Sequence, residues 1–307
     1  MDIKRKRGRY LKIYLSMGTG KSKVIIDTFS WLYDRDKIDC VLIVAPKGNY
    51  MNWFNNEIPT HMPDRIKSIM ANWNAAAKKK EKIALDKVSL PSNDLRILVM
   101  NVEAFSTSKG FKFAKRFVDY SRCMIIIDES TTIKNPGAIR TKNILKTAIN
   151  AKYKRILTGE PVTRSPLDLY TQCQFLNPAL LGFSSYYSFR NRYAIMINMS
   201  KGNRSFKHIV GFQRLDELSD SVKHFSYRCK KQDCLDLPDK IYQYRFIDIT
   251  PEQKRLYKEI SEQAMTELEG KDMTVQNVLT EMMRLHQITC GHFKSDTGDV
   301  INVENNR

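Results

Sequence analysis

The chain has 307 residues, 42% of them hydrophobic and 27% charged, and its formal charge is +18. That length holds one large domain or two around a sizeable core. No apolar run approaches the roughly 20 residues of a membrane span, and the basic stretch at residues 1–9 has no leader pattern, so membrane-spanning and exported classes are set aside. Six scattered cysteines read as reduced intracellular thiols, not as a disulfide framework, and Cys229, Cys234, Cys290 and His292 do not have a usual zinc spacing. The positive surplus suits a polyanionic partner, most often nucleic acid, or a plain solvated lysine surface.

Residues 10–15 read as a buried strand and residues 21–35 as a helix. The apolar run at 40–46 is a second strand, typical of one covered on both faces. Strand, helix, strand makes a βαβ unit, which implies a parallel sheet with a right-handed crossover. Further strands are expected at 95–101, 123–129 and 155–159, with helices at 51–58, 78–88, 111–120 and 138–150 between them. This alternation predicts a doubly wound α/β sheet. After Pro166 it stops: 167–181 and 185–196 look helical, 198–212 is a polar loop or hairpin, and 216–224 is a short helix. Residues 241–249 alternate like a half-exposed strand. Thr250-Pro251-Glu252-Gln253 is a helix start, with Thr as cap and Gln at the capping-box position. That helix runs to about 268, another covers 274–289, and the tail from 296 reads as loose.

Two stretches carry chemistry. Leu15-Ser16-Met17-Gly18-Thr19-Gly20-Lys21-Ser22, between a strand and a helix, is a phosphate-binding loop. Gly18 and Gly20 let backbone N–H groups close on phosphate oxygens, with Thr19 between them. The helix start adds its own N–H groups and positive dipole end. Lys21 reaches the β/γ-phosphates of ATP, and the Ser22 hydroxyl sits on Mg²⁺. Leu15 departs from the Gly or Ala usual at the start of such a loop. The second stretch is Ile125-Ile126-Ile127-Asp128-Glu129, where acids follow a buried strand. Asp128 is expected to hold Mg²⁺ through water, and Glu129 to orient or deprotonate the attacking water.

With these residues in place, the sequence resembles the Swi/Snf-like DNA translocases of helicase superfamily two. Asp128-Glu129-Ser130-Thr131-Thr132-Ile133-Lys134-Asn135 looks like that group's DEAHRIKN, and Thr158-Gly159-Glu160-Pro161 through Tyr170 looks like its TGTPIxNxPxDLW. Leu235 through Lys240 followed by Thr250 through Tyr257 looks like its LPxK and LTPEQxxLY pair. Val44-Ala45-Pro46-Lys47 with Trp53, Asn101 through Phe105, and Arg284 through Cys290 occupy further motif positions, in order, over nearly the whole chain. Glu160 stands where the group has Thr or Ser, and Arg164 where it has Asn.

The resemblance implies a RecA-like three-layer α/β/α lobe with a mainly parallel sheet and a C-terminal helical extension. Residues 1–227 would be the ATP-binding lobe, with a helical insertion at about 167–227. Residues 228–307 would lead toward a second RecA-like lobe whose arginine completes the site. It implies ATP and Mg²⁺ as cofactors and double-stranded DNA as partner. DNA phosphates would be touched by Pro46, Lys47, Asn101, Glu103, Lys134 and Asn135, and Thr158, Gly159 and Glu160 would couple the two sites. Trp53 is expected to pack in the core. An RNA-acting lobe and a degenerate binding module are the alternative readings. Hydrolysis by this chain alone is expected to be poor, and the Lys-, Asn- and Ile-rich composition suggests a bacterial or phage-infected cytoplasm.

Overall fold

The computed structural model describes residues 10–15, 19–201, 204–229, 241–269, 275–294 and 299–306. They belong to two compact units, Met1–Leu237 and Pro238–Arg307. The described strands of the first unit are β1 (Tyr10–Leu15), β2 (Cys40–Ala45), β3 (Ser68–Asn72), β4 (Leu95–Asn101), β5 (Cys123–Asp128), β6 (Tyr153–Thr158), β7 (Ala194–Lys201), β8 (Arg204–Phe212) and β9 (Ser226–Cys229). Seven of them form one sheet in the order β3-β4-β2-β5-β6-β1-β9, and every neighbouring pair is parallel. β7 and β8 make a separate antiparallel hairpin.

The described helices of this unit are α1 (Lys21–Asp34), α2 (50–61), α3 (Lys79–Ser89), α4 (Ser108–Asp119), α5 (Ile139–Thr147), α6 (Leu169–Leu176), α7 (Tyr186–Tyr193) and α8 (Leu215–Lys223). Side chains alternate across the central strands and sort the helices into two layers. Val41 and Ile43 of β2 pack with Ile25, Ile26 and Phe29 of α1 and with Trp53 and Ile58 of α2. Leu42 and Val44 pack with Leu85 of α3, Phe117 of α4, Ile144 of α5 and Phe175 of α6. Each fully buried side chain of this size stabilises the fold by about 1.5–3 kcal/mol before entropy is counted. That is why β2, β4 and β5 read as unbroken apolar runs.

β6 carries two cations into this sheet. Lys154 and Arg155 are 8% and 5% exposed. Burial pushes the Lys154 ammonium down to about 8 and the Arg155 guanidinium down to about 10. An unfolded lysine titrates near 10.4, so between these values the unfolded chain binds more protons and stability rises with pH. Below about pH 8 the full cost of the buried charge is present. The urea midpoint of this unit should therefore climb from pH 7.5 to 9.5, and Lys154→Met should flatten that climb. A variant with the same pH dependence as the wild type would show that Lys154 titrates normally.

Several expectations need correcting. Two sheet strands went unread: β3 has only short apolar content and lies at the sheet edge, and β9 is four residues long. The 185–196 helix stops at Tyr193, because Ala194 turns extended and β7 pairs along β8. The 167–181 helix breaks at Asn177-Pro178, and the 3₁₀ turns Pro166–Asp168 and Pro178–Leu180 flank α6. The insertion at 167–227 is therefore not wholly helical. α2 contains a π turn at Trp53–Glu57 between Tyr50–Asn52 and Ile58–His61. The hairpin alternative for 198–212 holds.

The second unit contains α9 (Pro251–Glu269), α10 (Val275–Thr289) and a hairpin of β10 (His292–Lys294) with β11 (Val300–Asn302). The tail from 296 is thus partly paired. The capping box forms as read: Gln253 N–H donates to Thr250 Oγ1 at 3.2 Å, and Thr250 N–H donates to Gln253 Oε1 at 3.0 Å. Gln253 Nε2 also donates to Ile288 O at 2.8 Å, which ties α9 to α10. Residues 241–249 form no strand: Tyr242, Tyr244 and Phe246 are 78%, 86% and 93% exposed, so the alternating pattern buries nothing.

Candidate functional site

The C-terminal ends of parallel strands form the ligand edge of such sheets. Here β6 lies between β1 and β5, so Gly20 and Lys21 beyond β1, Asp128 and Glu129 at the end of β5, and Thr158 at the end of β6 come to adjacent positions. Ser16, Met17 and Gly18 lie outside the described residues, as do Cys234 and the motif from Leu235 to Lys240. Gly20 caps α1 with φ 82°, a left-handed conformation that a side chain would strain, and Lys21 opens the helix. Lys21 Nζ is buried without a hydrogen-bond partner and lies 3.6 Å from Glu129 Oε1. A buried ammonium in that state suits an arriving anion.

Asp128 ends β5 and is 4% exposed. Its Oδ2 accepts from Asn49 Nδ2 and from Trp53 Nε1, each at 2.8 Å, and its Oδ1 accepts from Glu129 N–H at 3.0 Å. Glu129 has φ 47°, unusual for a residue with a side chain, and such strain gathers at functional sites. The Thr158 hydroxyl lies 3.3 Å from Glu129 Oε2 and 3.2 Å from Glu160 O, and it donates to these acceptors. Gly20, Lys21, Ser22, Asp128 and Glu129 line one cavity of about 320 Å³, with Asn49, Asn52, Glu57 and His61 of the α2 segment on another wall. Its oxygen donors suit a hard cation such as Mg²⁺.

A hydrogen-bonded web continues behind this cavity. Ser130 Oγ donates to Gln172 Oε1 at 2.7 Å, and Gln172 Nε2 donates to Pro161 O at 2.8 Å. Thr163 N–H and Arg164 N–H both donate to Asp168 Oδ2 at 3.1 Å. Burial raises the Asp168 carboxyl, but these N–H groups, the Thr163 hydroxyl and Lys134 outweigh it and hold it below the usual carboxylate range. Two of the departures, Glu160 and Arg164, fall on exposed side chains. Glu160 serves this web through its carbonyl and Arg164 through its N–H, so neither side chain is needed for it.

The residues expected to touch DNA follow three adjacent strands at the same sheet edge. Pro46 and Lys47 follow β2, Asn101 and Glu103 lie at the end of β4, and Lys134 and Asn135 come after β5. Lys47 and Glu103 are exposed. The other polar side chains already have local work. Asn101 Oδ1 accepts from Ala104 N–H at 2.7 Å, Asn135 Oδ1 from Gly137 N–H at 2.8 Å, and Lys134 Nζ donates to Thr163 Oγ1 at 2.6 Å.

Sequence reading missed the α2 wall of the cavity. Trp53 packs in the core as expected, at 1% exposure, but its indole N–H is aimed at Asp128. The available signal was Asn49 and Trp53 one helical turn apart, just after a strand that neighbours the Asp128 strand.

Comparison with known proteins agrees with this arrangement. The profile of the SNF2-related domain matches residues 15–294. The chromatin-remodeling ATPase INO80 of Candida albicans is 25% identical over 289 residues, which cover 90% of this chain and 20% of that protein. The putative ATP-dependent helicase/translocase YwqA of Bacillus subtilis is 25% identical over 285 residues, 90% of this chain and 28% of that one. The fold is shared with the Sulfolobus solfataricus SWI2/SNF2 ATPase core in complex with dsDNA, at a TM-score of 0.55 and 24% identity over 96% of this chain and 57% of that one. This chain thus spans under a third of the two relatives and a little over half of that core. With a profile match over most of its length, and with Lys21, Asp128, Glu129 and Thr158 at one edge of the sheet, the chain belongs to the SNF2-related domain family.

Proposed function

We propose that this chain is the first ATPase lobe of an ATP-dependent translocase on double-stranded DNA. The observation that carries the reading is the convergence of Lys21, Ser22, Asp128 and Glu129 on one cavity, where the buried Lys21 Nζ has no hydrogen bond and only the Glu129 carboxylate, 3.6 Å away, beside it. Ser22 and Asp128 would hold Mg²⁺, which supplies charge neutralisation on the phosphate oxygens. Gly18, Thr19 and Gly20 would wrap the phosphates, Lys21 would bind them, and Glu129 would take the proton of the attacking water. Thr158, bonded to Glu129 and to the Glu160 carbonyl, would pass movement of the 159–168 web to that base. Hydrolysis would need a second lobe to bring an arginine to the γ-phosphate and to exclude water. The buried thiols of Cys40, Cys123 and Cys173 suit an intracellular setting.

DNA would be held through its phosphates at the ends of β2, β4 and β5, with Lys47 the most accessible cation there. With about three phosphates neutralised, affinity should fall roughly 40-fold between 50 and 200 mM salt, with little sequence preference. Fluorescence anisotropy with a labelled duplex reads this directly. A flat salt dependence would sink the phosphate reading, and equal binding of duplex RNA would move the substrate class to RNA.

A further inference from the structure

Asp128 is held from outside the acidic motif. Two nitrogen donors of the α2 segment close on the same oxygen: Trp53 Nε1 and Asn49 Nδ2, both at 2.8 Å from Oδ2. An ionised carboxylate offers about four lone-pair sites. Two are taken on Oδ2 and a third, on Oδ1, by the Glu129 N–H. One acceptor site is left, on Oδ1.

Packing alone does not require this. Trp53 sits among Ile and Val side chains on the α1 face of the sheet, where a leucine or phenylalanine would also bury apolar area. Its indole N–H needs a partner when buried. The partner it has is the carboxylate of the candidate metal site, and the π turn at Trp53–Glu57 starts at this residue. Asn49 is fixed on its own side: its N–H and that of Tyr50 both donate to Pro46 O, at 2.8 and 2.9 Å, and Trp53 N–H donates to Asn49 O at 3.4 Å. The segment that leaves β2 is thus built to present two donors to one oxygen of β5.

We propose that Trp53 and Asn49 are positioning residues for the metal. They saturate Oδ2, fix the carboxylate plane, and leave a single Oδ1 site for one water of the hydrated cation. The inference rests on the reading of Asp128 as the metal carboxylate. Outer-shell partners of metal ligands usually carry 10–100-fold of metal affinity. Trp53→Phe keeps an aromatic ring in the core, though a smaller one, and removes the N–H. Asn49→Ala removes the second donor from a half-buried position at a helix start, and its melting temperature checks that it folds.

The test is the affinity of the full chain for Mn²⁺ in the presence of ADP, read from the free Mn²⁺ signal in electron paramagnetic resonance. ADP binding without metal and thermal melting are measured beside it. Each variant should weaken Mn²⁺ about 10-fold or more while metal-free ADP affinity stays within about twofold. In the ¹H–¹⁵N spectrum of the chain without nucleotide, the Trp53 indole resonance should shift upfield in Asp128→Asn. Unchanged Mn²⁺ affinity in folded Asn49→Ala and Trp53→Phe, beside a wild type that does bind, would overturn the positioning role and leave the metal reading standing. Wild-type chain that binds ADP but no Mn²⁺ would overturn both.

Discussion

Lys21→Ala is expected to weaken nucleotide binding at least 100-fold while the chain still folds. The lysine opens α1 behind the left-handed Gly20, and its Nζ is buried without a hydrogen bond. Its nearest charge is Glu129, 3.6 Å away, with side-chain exposures of 13% and 32%. Nothing in the core depends on it, since the α1 residues that pack the sheet are Ile25, Ile26, Phe29 and Leu32. A charge-assisted bond to phosphate contributes about 1.5–3 kcal/mol, and a lysine on two phosphates makes more than one. Loss of about 3 kcal/mol is a factor of roughly 100. Calorimetry with ADP or a slowly hydrolysed ATP analogue measures it, and wild-type affinity in the variant would remove the phosphate site from this loop.

The second large effect is Glu129→Gln. Its turnover in a protein that joins this lobe to a second one should drop about 10²–10⁴-fold, the usual contribution of a positioned base. Nucleotide affinity should stay within a few-fold. Glutamine keeps an oxygen for the Thr158 hydroxyl and keeps the left-handed backbone at φ 47°, but it cannot accept a proton. It also frees Lys21 from a carboxylate that competes with phosphate for the ammonium. Steady-state phosphate release with saturating ATP and duplex DNA separates the outcomes. Unchanged turnover would assign the attacking water to another group.

The fold was legible where burial on both faces leaves a plain mark. The runs at 40–46, 95–101 and 123–129 became β2, β4 and β5 within about a residue, because each is covered by helices on two sides. Edge strands carry no such mark, which hid β3 and β9. Alternation misled at 241–249, since period two shows what a strand could bury and not whether a neighbour exists to pair with it. In the site, Lys21, Ser22, Asp128 and Glu129 were readable because phosphate and metal chemistry restrict residue type and spacing. Asn49 and Trp53 were not, because their partner Asp128 is distant in sequence and their types suit capping and packing equally well. Glu160 and Arg164 looked like damage to a motif. Their backbone groups carry the local bonds, and sequence identity is blind to that.

The position of β1 has a consequence for how the molecule comes into being. It is the first of the described strands, yet both of its neighbours are late: Tyr10 pairs with Lys154, and Lys12 pairs with Ser226. During synthesis, β2, β4 and β5 can find one another while β1 still has no edge to join. Pairings this distant in sequence carry a large loop-closure entropy and form slowly. Lys21 follows β1 in the chain, so the proposed nucleotide site would not be complete until β6 has been made, nor its flank closed until β9 has followed. Until then an apolar strand stays available to chaperones or to a neighbouring ribosome's product. Nucleotide would bind only a chain that had completed this sheet, and in the cell it would act as a late brace on folding as well as a fuel.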